Sequence, residues 1–337
     1  MHSKWIQTLK VLGAVLLALV VLDLFCAWYY APTSYLLDPD RATDLIRQPD
    51  AFTSRATEGF ASMRMDDQGY NNAVLPGDEG IFVLMMGSSH TEALNVPQDQ
   101  NAAAQLQALL SEAGYSGAVY NIGISSHTFA RNAANLPRAL KKFQPTGYVV
   151  IETADVLMFT AAVHAARDDI MEPLPQTDSP LPAWLTNRPL AATLYRQWGN
   201  LTSEEEEQVD TSYIPPDILE RYQQALTELF VQMRTEADAA GVELIFYYHP
   251  HLALTESGKA EPMTQQQCLG AFSAACQEAG IPFLDLSETF LAAYEADFTL
   301  PHGFVNTSPG KGHLNADGHA MIARALFEFI EEKEAAR

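Results

Sequence analysis

The sequence of 337 residues is poor in cysteine, and this scarcity excludes several kinds of protein. Three cysteines, Cys26, Cys268 and Cys276, are too few for a disulfide scaffold. Cys268 and Cys276 fall on one predicted helix, where a rise of about 12 Å separates them and prevents a bridge. We interpret both as buried apolar thiols, not as metal or redox ligands.

Basic residues are also scarce, and this limits the partners that the chain can bind. Lys and Arg number 20 against 42 Asp and Glu, so the formal net charge is −22. Proteins that bind nucleic acid through its phosphates need clustered Lys and Arg. Docking on anionic lipid through a basic patch has the same requirement. The composition therefore predicts no nucleic-acid partner and no basic membrane-docking surface.

A long apolar run lies near the N-terminus. Residues 1–10 carry Lys4 and Lys10, and residues 11–30 form a run of the length that crosses a bilayer, about 20 residues. Lysines before the run and acids after it predict a cytoplasmic N-terminus and an extracytoplasmic remainder. A cleaved signal peptide and a buried helix of a soluble protein are the alternatives; no small-x-small cleavage site is evident. We predict a single-pass membrane anchor.

The rest of the chain predicts one α/β domain. Residues 31–79 are polar and irregular, which indicates an extension made of turns and a short helix. Residues 80–335 alternate strands and helices, interrupted at about 168–215 by a proline-rich, acidic insertion that could form a lid or partner surface. The predicted strands are Ile81–Met86, Gly117–Asn121, Gly147–Glu152, Val242–Tyr248 and Pro282–Leu286, and the predicted helices are Asn101–Ala113, Thr128–Phe143, Asp217–Ala240, Pro262–Ala279 and Ala316–Glu332. This order predicts a flavodoxin-like three-layer α/β/α fold with about five parallel strands.

Candidate catalytic residues follow the ends of these strands. Ser89 follows the first strand and opens a helix, Gly123 follows the second strand, and Thr153 follows the third. His313 lies just before the last helix. Ligands bind at the carboxyl edge of open α/β sheets, and helix-terminal N–H groups there stabilise negative charge. Acyl transfer needs a hydroxyl nucleophile, an imidazole base and N–H donors for the oxyanion, which these residues could supply.

Three motifs in this order resemble the SGNH/GDSL hydrolase superfamily. They are Gly-x-Ser at 87–89, Asn-x-Gly at 121–123 and His-x-Asn-x-x-Gly-His at 313–319, and the resemblance spans about residues 81–330. It implies that Ser89 is the nucleophile, that the N–H groups of Ser89 and Gly123 form the oxyanion hole, and that His313 is the base. The anchored layout is similar to the branch that acetylates or deacetylates cell-envelope polysaccharides, such as alginate acetylation proteins, and to single-anchor proteins of D-alanine transfer to teichoic acid.

The sequence departs from the family pattern at two positions. The asparagine of the third block falls at Ala154, and the acid three residues before the histidine falls at Gly310. Either a Ser–His dyad operates or another acid orients His313. The candidate acids are Asp155, Glu152 and Asp317.

Several other polar residues could line the site. They are His90, His127, Asn121 and Thr153, although Asn121 fits a brace of its turn better and His319 fits a structural role. His249 and His251 lack a matching carboxylate or cysteine spacing. We therefore predict no metal and no other cofactor.

The sequence thus predicts an extracytoplasmic serine-dependent acyl-ester hydrolase or O-acyltransferase that acts on a cell-envelope glycan. The expected acyl group is O-acetyl. A transferase would also need a multi-spanning partner that delivers the acyl donor across the membrane. The alternative is a non-catalytic glycan-binding or envelope-assembly protein that keeps the fold with a degenerate triad.

Overall fold

The N-terminal helix is long, apolar and exposed. A computed structural model of the chain describes residues 2–31, 33, 35–73, 80–153, 188–191, 193, 194, 198 and 214–336. Helix α1 spans His2–Tyr29, and its apolar section Lys4–Tyr29 has a mean hydropathy of 2.5 with only 6% of it buried. Its length and composition suffice to cross a bilayer, and a signal sequence has the same properties.

The segment after α1 folds into short antiparallel strands, contrary to the predicted turns and short helix. The strands are β1 Tyr30–Ala31, β2 Tyr35–Leu37, β3 Leu45–Arg47, β4 Phe52–Arg55 and β5 Ala61–Arg64. β1, β4 and β5 form one small sheet, and β2 pairs with β3. Strands of two to four residues are too short to show a period-2 pattern, which explains why the sequence did not indicate them. We call residues 30–72 the strand extension.

The central sheet has five parallel strands, as predicted. Its strands are β6 Ile81–Met86, β7 Gly117–Asn121, β8 Tyr148–Thr153, β9 Glu243–Tyr248 and β12 Phe283–Asp285. Their order is β12-β9-β8-β6-β7, and every neighbouring pair is parallel. Because β6 and β8 are buried on both faces, they read as continuous apolar runs in the sequence.

Helices cover both faces of this sheet. They are α2 Ser89–Glu92, α3 Ala102–Glu112, α4 Phe129–Phe143, α5 Pro216–Ala240, α6 Gln266–Ala279, α7 Ser287–Asp297 and α8 Ala316–Ala335. Leu84 of β6 packs in one core with α4, α5 and α6, and its neighbour Val83 packs in the other with α3, α7 and α8. This alternation produces the three-layer α/β/α architecture.

The C-terminal half differs from the predictions in one helix boundary, one hairpin and one additional helix. The predicted helix Pro262–Ala279 begins only at Gln266, because β10 His251–Leu254 and β11 Ala260–Met263 form a hairpin before it. Helix α7 was not predicted. The acidic run of the insertion lies outside the described residues.

Candidate active site

The nucleophile candidate lies in a tight turn between β6 and α2. Ser88 caps α2, with its side chain accepting the His90 N–H, and Ser89 is the first helical residue. A Cβ on Gly87 would overlap Thr91 Oγ1 and Glu152 Oε2, so the turn requires glycine. Ser89 therefore stands at the carboxyl edge of the sheet, as the sequence predicted.

The structure brings Ser89 and His313 together. His313 Nε2 lies 2.9 Å from Ser89 Oγ, although 224 residues separate them in the chain. The loop that carries His313 is held at the start of α8, where Asn315 caps the helix and its amide donates to the Leu300 carbonyl at 2.7 Å. The predicted nucleophile and base are thus within hydrogen-bond distance.

The carboxylate behind the imidazole is Glu58, in the loop between β4 and β5. Its Oε2 lies 2.6 Å from His313 Nδ1, and its Oε1 accepts the His313 backbone N–H at 2.6 Å. Burial raises the pKa of Glu58, but the hydrogen bonds from His313 outweigh it and the pKa is lowered. An ionised carboxylate holds the proton on Nδ1 and leaves Nε2 free to accept the Ser89 proton.

Neither of the two predicted acids that the structure describes occupies this place. Glu152 is fully buried and accepts the Ser88 N–H at 2.8 Å and its hydroxyl at 2.7 Å, so it braces the nucleophile turn. Asp317 lies in the first turn of α8 and lines a different cavity. Asp155 lies outside the described residues, as does Ala154. The dyad hypothesis is also not needed, because Glu58 contacts His313.

Asn95 and Asn306 fix the position of the loop that carries Glu58. Asn95 donates to the Glu58 carbonyl at 2.9 Å, and Asn306 accepts the Gly59 N–H at 3.0 Å. Gly312 has a φ of +83°, and a Cβ there would overlap Glu58 Oε1. The histidine loop thus leaves room for an acid that comes from elsewhere in the chain. In the sequence around His313, Gly312 is the residue that indicates this space, but it does not show which acid fills it.

A buried ion pair joins the strand extension to the nucleophile helix. Arg47 of β3 donates to Glu92 of α2 through Nε at 2.8 Å and Nη2 at 3.2 Å, and both side chains are almost fully buried. Glu92 also accepts the Ser125 N–H at 2.9 Å. Burial lowers the pKa of Arg47, but the Glu92 carboxylate outweighs it and the pKa is raised. The pair holds α2 against the extension.

The cavity at Ser89 is small and mostly polar. It has a volume of about 350 Å³ and is lined by Arg55, Thr57, Glu58, Ser89, Leu94, Asn95, Ser125, Ser126 and His313. Ser126 has a φ of +71°, and its N–H donates to no described residue. The first N–H of a helix also lacks an intrahelical acceptor, which leaves the Ser89 N–H free.

Gly123, predicted as an oxyanion donor, does not line this cavity. Its N–H donates to Asn121 Oδ1 at 2.8 Å, and a Cβ there would lie 2.5 Å from the Glu92 nitrogen. Gly123 is needed for close packing against α2, and its N–H is already engaged. Ser126, three residues further along the same turn, lines the cavity, and its N–H has no acceptor among the described residues.

The remaining predicted lining residues lie behind the cavity wall. Asn121 donates to the Thr91 carbonyl at 2.6 Å and braces the turn. Thr153 and His127 are buried, and burial lowers the pKa of His127 to about 4. The His90 ring lies 5.1 Å from the His313 ring, and its Nδ1 accepts the Leu314 N–H. These side chains support the site without reaching it.

The comparisons with known proteins give structural similarities only. No protein-family model and no curated protein matches the chain. TesA is similar over 74% of this chain and 98% of its own, at 17% identity and a TM-score of 0.41. The esterase EstA from Pseudoalteromonas sp. is similar over 75% of this chain and 98% of its own, at 14% identity and a TM-score of 0.41. A GDSL-like lipase from Bacteroides thetaiotaomicron is similar over 75% of this chain and 88% of its own, at 13% identity and a TM-score of 0.37.

Proposed function

We propose that this protein is a serine-dependent acyl-ester hydrolase or O-acyltransferase. The observation that carries the proposal is the continuous contact from Ser89 Oγ through His313 to the Glu58 carboxylate, with distances of 2.9 and 2.6 Å. A hydroxyl, an imidazole and an orienting acid in this geometry form a nucleophilic triad. A structural serine at a helix start requires neither of the other two groups.

The geometry suggests a two-step reaction. His313 Nε2 takes the Ser89 proton as Oγ attacks the acyl carbonyl, and the N–H groups of Ser89 and Ser126 receive the oxyanion. Collapse of the tetrahedral intermediate breaks the ester bond, and the leaving alcohol takes the proton from His313. Water or a sugar hydroxyl then attacks the acyl-enzyme with His313 again as base. The second tetrahedral intermediate breaks the bond between the acyl carbon and Ser89 Oγ, which takes the proton back from His313. Throughout, Glu58 stabilises the imidazolium and fixes its orientation.

The lining of the cavity favours a short acyl group on a polar substrate. Apart from Leu94, the lining side chains named above are polar or charged, and about 350 Å³ suits an acetyl ester better than a long acyl chain. Arg55 reaches the cavity and forms no ion pair with any described carboxylate, so it could receive an anionic group of the substrate. These properties support an O-acetylated, acidic glycan as substrate.

The cellular setting is part of the same proposal. Helix α1 would anchor the chain, with the catalytic domain outside the cytoplasm and the envelope polymer within reach. If the acceptor is a sugar hydroxyl, a multi-spanning membrane partner would supply the acyl donor. If it is water, no partner is required.

A fluorophosphonate probe tests the nucleophile directly. We expect the wild-type protein to be labelled on Ser89, and S89A to lose both labelling and turnover of p-nitrophenyl acetate. The matched control is S126A, which keeps the backbone N–H and should still be labelled. Absence of labelling in the wild type, with the fold intact by circular dichroism, would favour the non-catalytic glycan-binding alternative.

A series of p-nitrophenyl esters tests the acyl group. We expect kcat/KM to fall steadily from acetate to octanoate, because the cavity is small. A larger apolar cavity of about 530 Å³ lies next to it and shares Asn95. Preference for octanoate would therefore assign the larger cavity to the acyl chain and contradict the acetyl proposal.

A further inference from the structure

Three histidine rings meet directly behind the nucleophile turn. His90 follows Ser89 in α2, His249 follows the end of β9, and His302 lies in the loop before α8. The ring centroids lie 4.8 Å apart for His90 and His249, 5.7 Å for His90 and His302, and 5.6 Å for His249 and His302. One ring nitrogen of each residue lies within 4.8 Å of the other two.

Three nitrogens of this cluster are buried without hydrogen-bond partners among the described residues. Both ring nitrogens of His302 and Nδ1 of His249 contact no polar atom among the described residues. His302 is 1% exposed and His249 is 0% exposed. An unsatisfied buried polar group costs about 1–3 kcal/mol, so several in one place indicate that something binds between them.

A carboxylate contacts one of these rings and fixes its tautomer. Glu152 Oε1 lies 3.4 Å from His249 Nε2, and the Ser88 turn holds Glu152 in place. The carboxylate keeps the proton on Nε2, which leaves the Nδ1 lone pair directed away from Glu152 and without a partner. Carboxylates behind metal-ligating histidines fix the tautomer in this way.

We propose that His90, His249 and His302 form a binding site for a divalent transition-metal ion, best matched by Zn²⁺. Three imidazoles with one open position are a common zinc donor set, whereas Mg²⁺ and Ca²⁺ require oxygen ligands. Zn–N bonds of about 2.0–2.1 Å at tetrahedral angles place the nitrogens about 3.4 Å apart, so nitrogens that now lie within 4.8 Å of one another must approach by up to about 1.4 Å. His302 also lines the larger cavity, which provides an entry path.

The present tautomer of His90 shows what the ion would displace. Its Nδ1 accepts the Leu314 N–H at 3.2 Å, so the neutral ring carries its proton on Nε2. Coordination by His90 has to remove that hydrogen bond or that proton. Leu314 directly follows His313, and metal binding should therefore also perturb the loop that carries the proposed base.

Metal titration of the full chain in detergent tests the site independently of catalysis. Any affinity tag used for purification is removed, and bound metal is stripped with a chelator. Zn²⁺ binding is then measured by calorimetry, and the absorption spectrum of bound Co²⁺ reports the coordination geometry. We expect one Zn²⁺ per chain, unchanged in S89A because Ser89 is no ligand. H302Q and H249Q should each weaken binding by at least about 100-fold.

The matched control is H127Q, which removes a histidine that is equally buried, at 1% exposure, but lies outside the cluster. It should bind Zn²⁺ as the wild type does. If H249Q does not fold, H302Q decides the question, because His302 lines an open cavity. Absence of stoichiometric binding, or binding that H302Q leaves unchanged, would overturn the site and leave the rings as packed neutral imidazoles.

Discussion

The α/β domain and the strand extension contribute to the site in different ways. The domain is built on a parallel sheet whose central strands are buried, and it supplies Ser89 and His313. The extension consists of strands of two to four residues over a small apolar cluster, and it supplies Glu58. The comparison shows that the proposed catalytic unit is larger than the α/β domain. A domain cut at residue 80 would keep two members of the triad and lose the third.

The extension also connects the site to the end of the N-terminal helix. The Ala56 N–H donates to the Tyr29 carbonyl at 2.8 Å, and Ser54 Oγ donates to the Trp28 carbonyl at 2.8 Å. Glu58 follows two residues after Ala56. The position of the acid therefore depends both on the domain, through Asn95 and Asn306, and on the last turn of α1. A displacement of that turn would reach His313 through one short loop.

Replacing the acid by E58Q tests whether the extension takes part in catalysis. Glutamine keeps the size of the side chain but no longer fixes the His313 tautomer, so we expect kcat to fall by about 10³–10⁴-fold. Turnover of p-nitrophenyl acetate measures the effect. The control is D317N, an acid near the site that does not contact His313, and it should keep near wild-type activity. Near wild-type activity in E58Q would mean that Ser89 and His313 act as a dyad without the extension.

The R47M substitution tests how firmly the extension is attached. It leaves the Glu92 carboxylate buried without its cation, and breaking a buried pair in this way costs about 3–5 kcal/mol. We expect the free energy of unfolding, measured with urea, to fall by that amount. R234M removes a more exposed pair with Asp238, where the contact is 2.7 Å, and should cost less than about 1 kcal/mol. Similar losses in both variants would contradict the importance of the buried pair.

Two glycines of the histidine loop provide a matched test of the Glu58 position. Gly310 and Gly312 have φ of +76° and +83°, so alanine strains the backbone similarly at both. At Gly312 the methyl group would overlap the Glu58 carboxylate, whereas at Gly310 its nearest atom is 3.3 Å away. We expect G312A to lower kcat by about 100-fold, as a misplacement of about 1 Å does, and G310A to lower it much less. Equal losses would mean that strain alone acts.

Sequence reasoning found the parts of the site that depend on local patterns. Apolar runs that end in glycine turns located the β6 and β7 edges, and the motif spacing located Ser89 and His313. Glu58 was not predicted because it lies before the first strand of the central sheet, in a loop between strands too short to show periodicity, and only tertiary packing brings it to His313. Gly123 was misassigned because the sequence cannot show which N–H of a turn is already engaged. The histidine cluster was missed because its members come from three distant segments.

The smallest expected effect concerns the acid stability of the junction between the two regions. His127 lies in the domain near Asp44 of the extension, and burial lowers its pKa to about 4, against about 6.5 in the unfolded chain. Above pH 6.5 neither state binds the proton. Between 6.5 and 4 only the unfolded state binds it, so His127 lowers stability as the pH falls; below 4 its contribution is constant.

The variant H127Q removes this one titration. The slope of the unfolding free energy against pH, measured with urea between pH 6.5 and 4, should therefore decrease by up to about 1.4 kcal/mol per pH unit. Other buried histidines, such as His319, keep their own contributions, so the slope should decrease without reaching zero. H127N serves as a second variant and should give the same change, because it also lacks a group that titrates in this range. An unchanged slope in both would mean that His127 takes up its proton equally in the folded and unfolded states, and acid would then act on the junction through other groups.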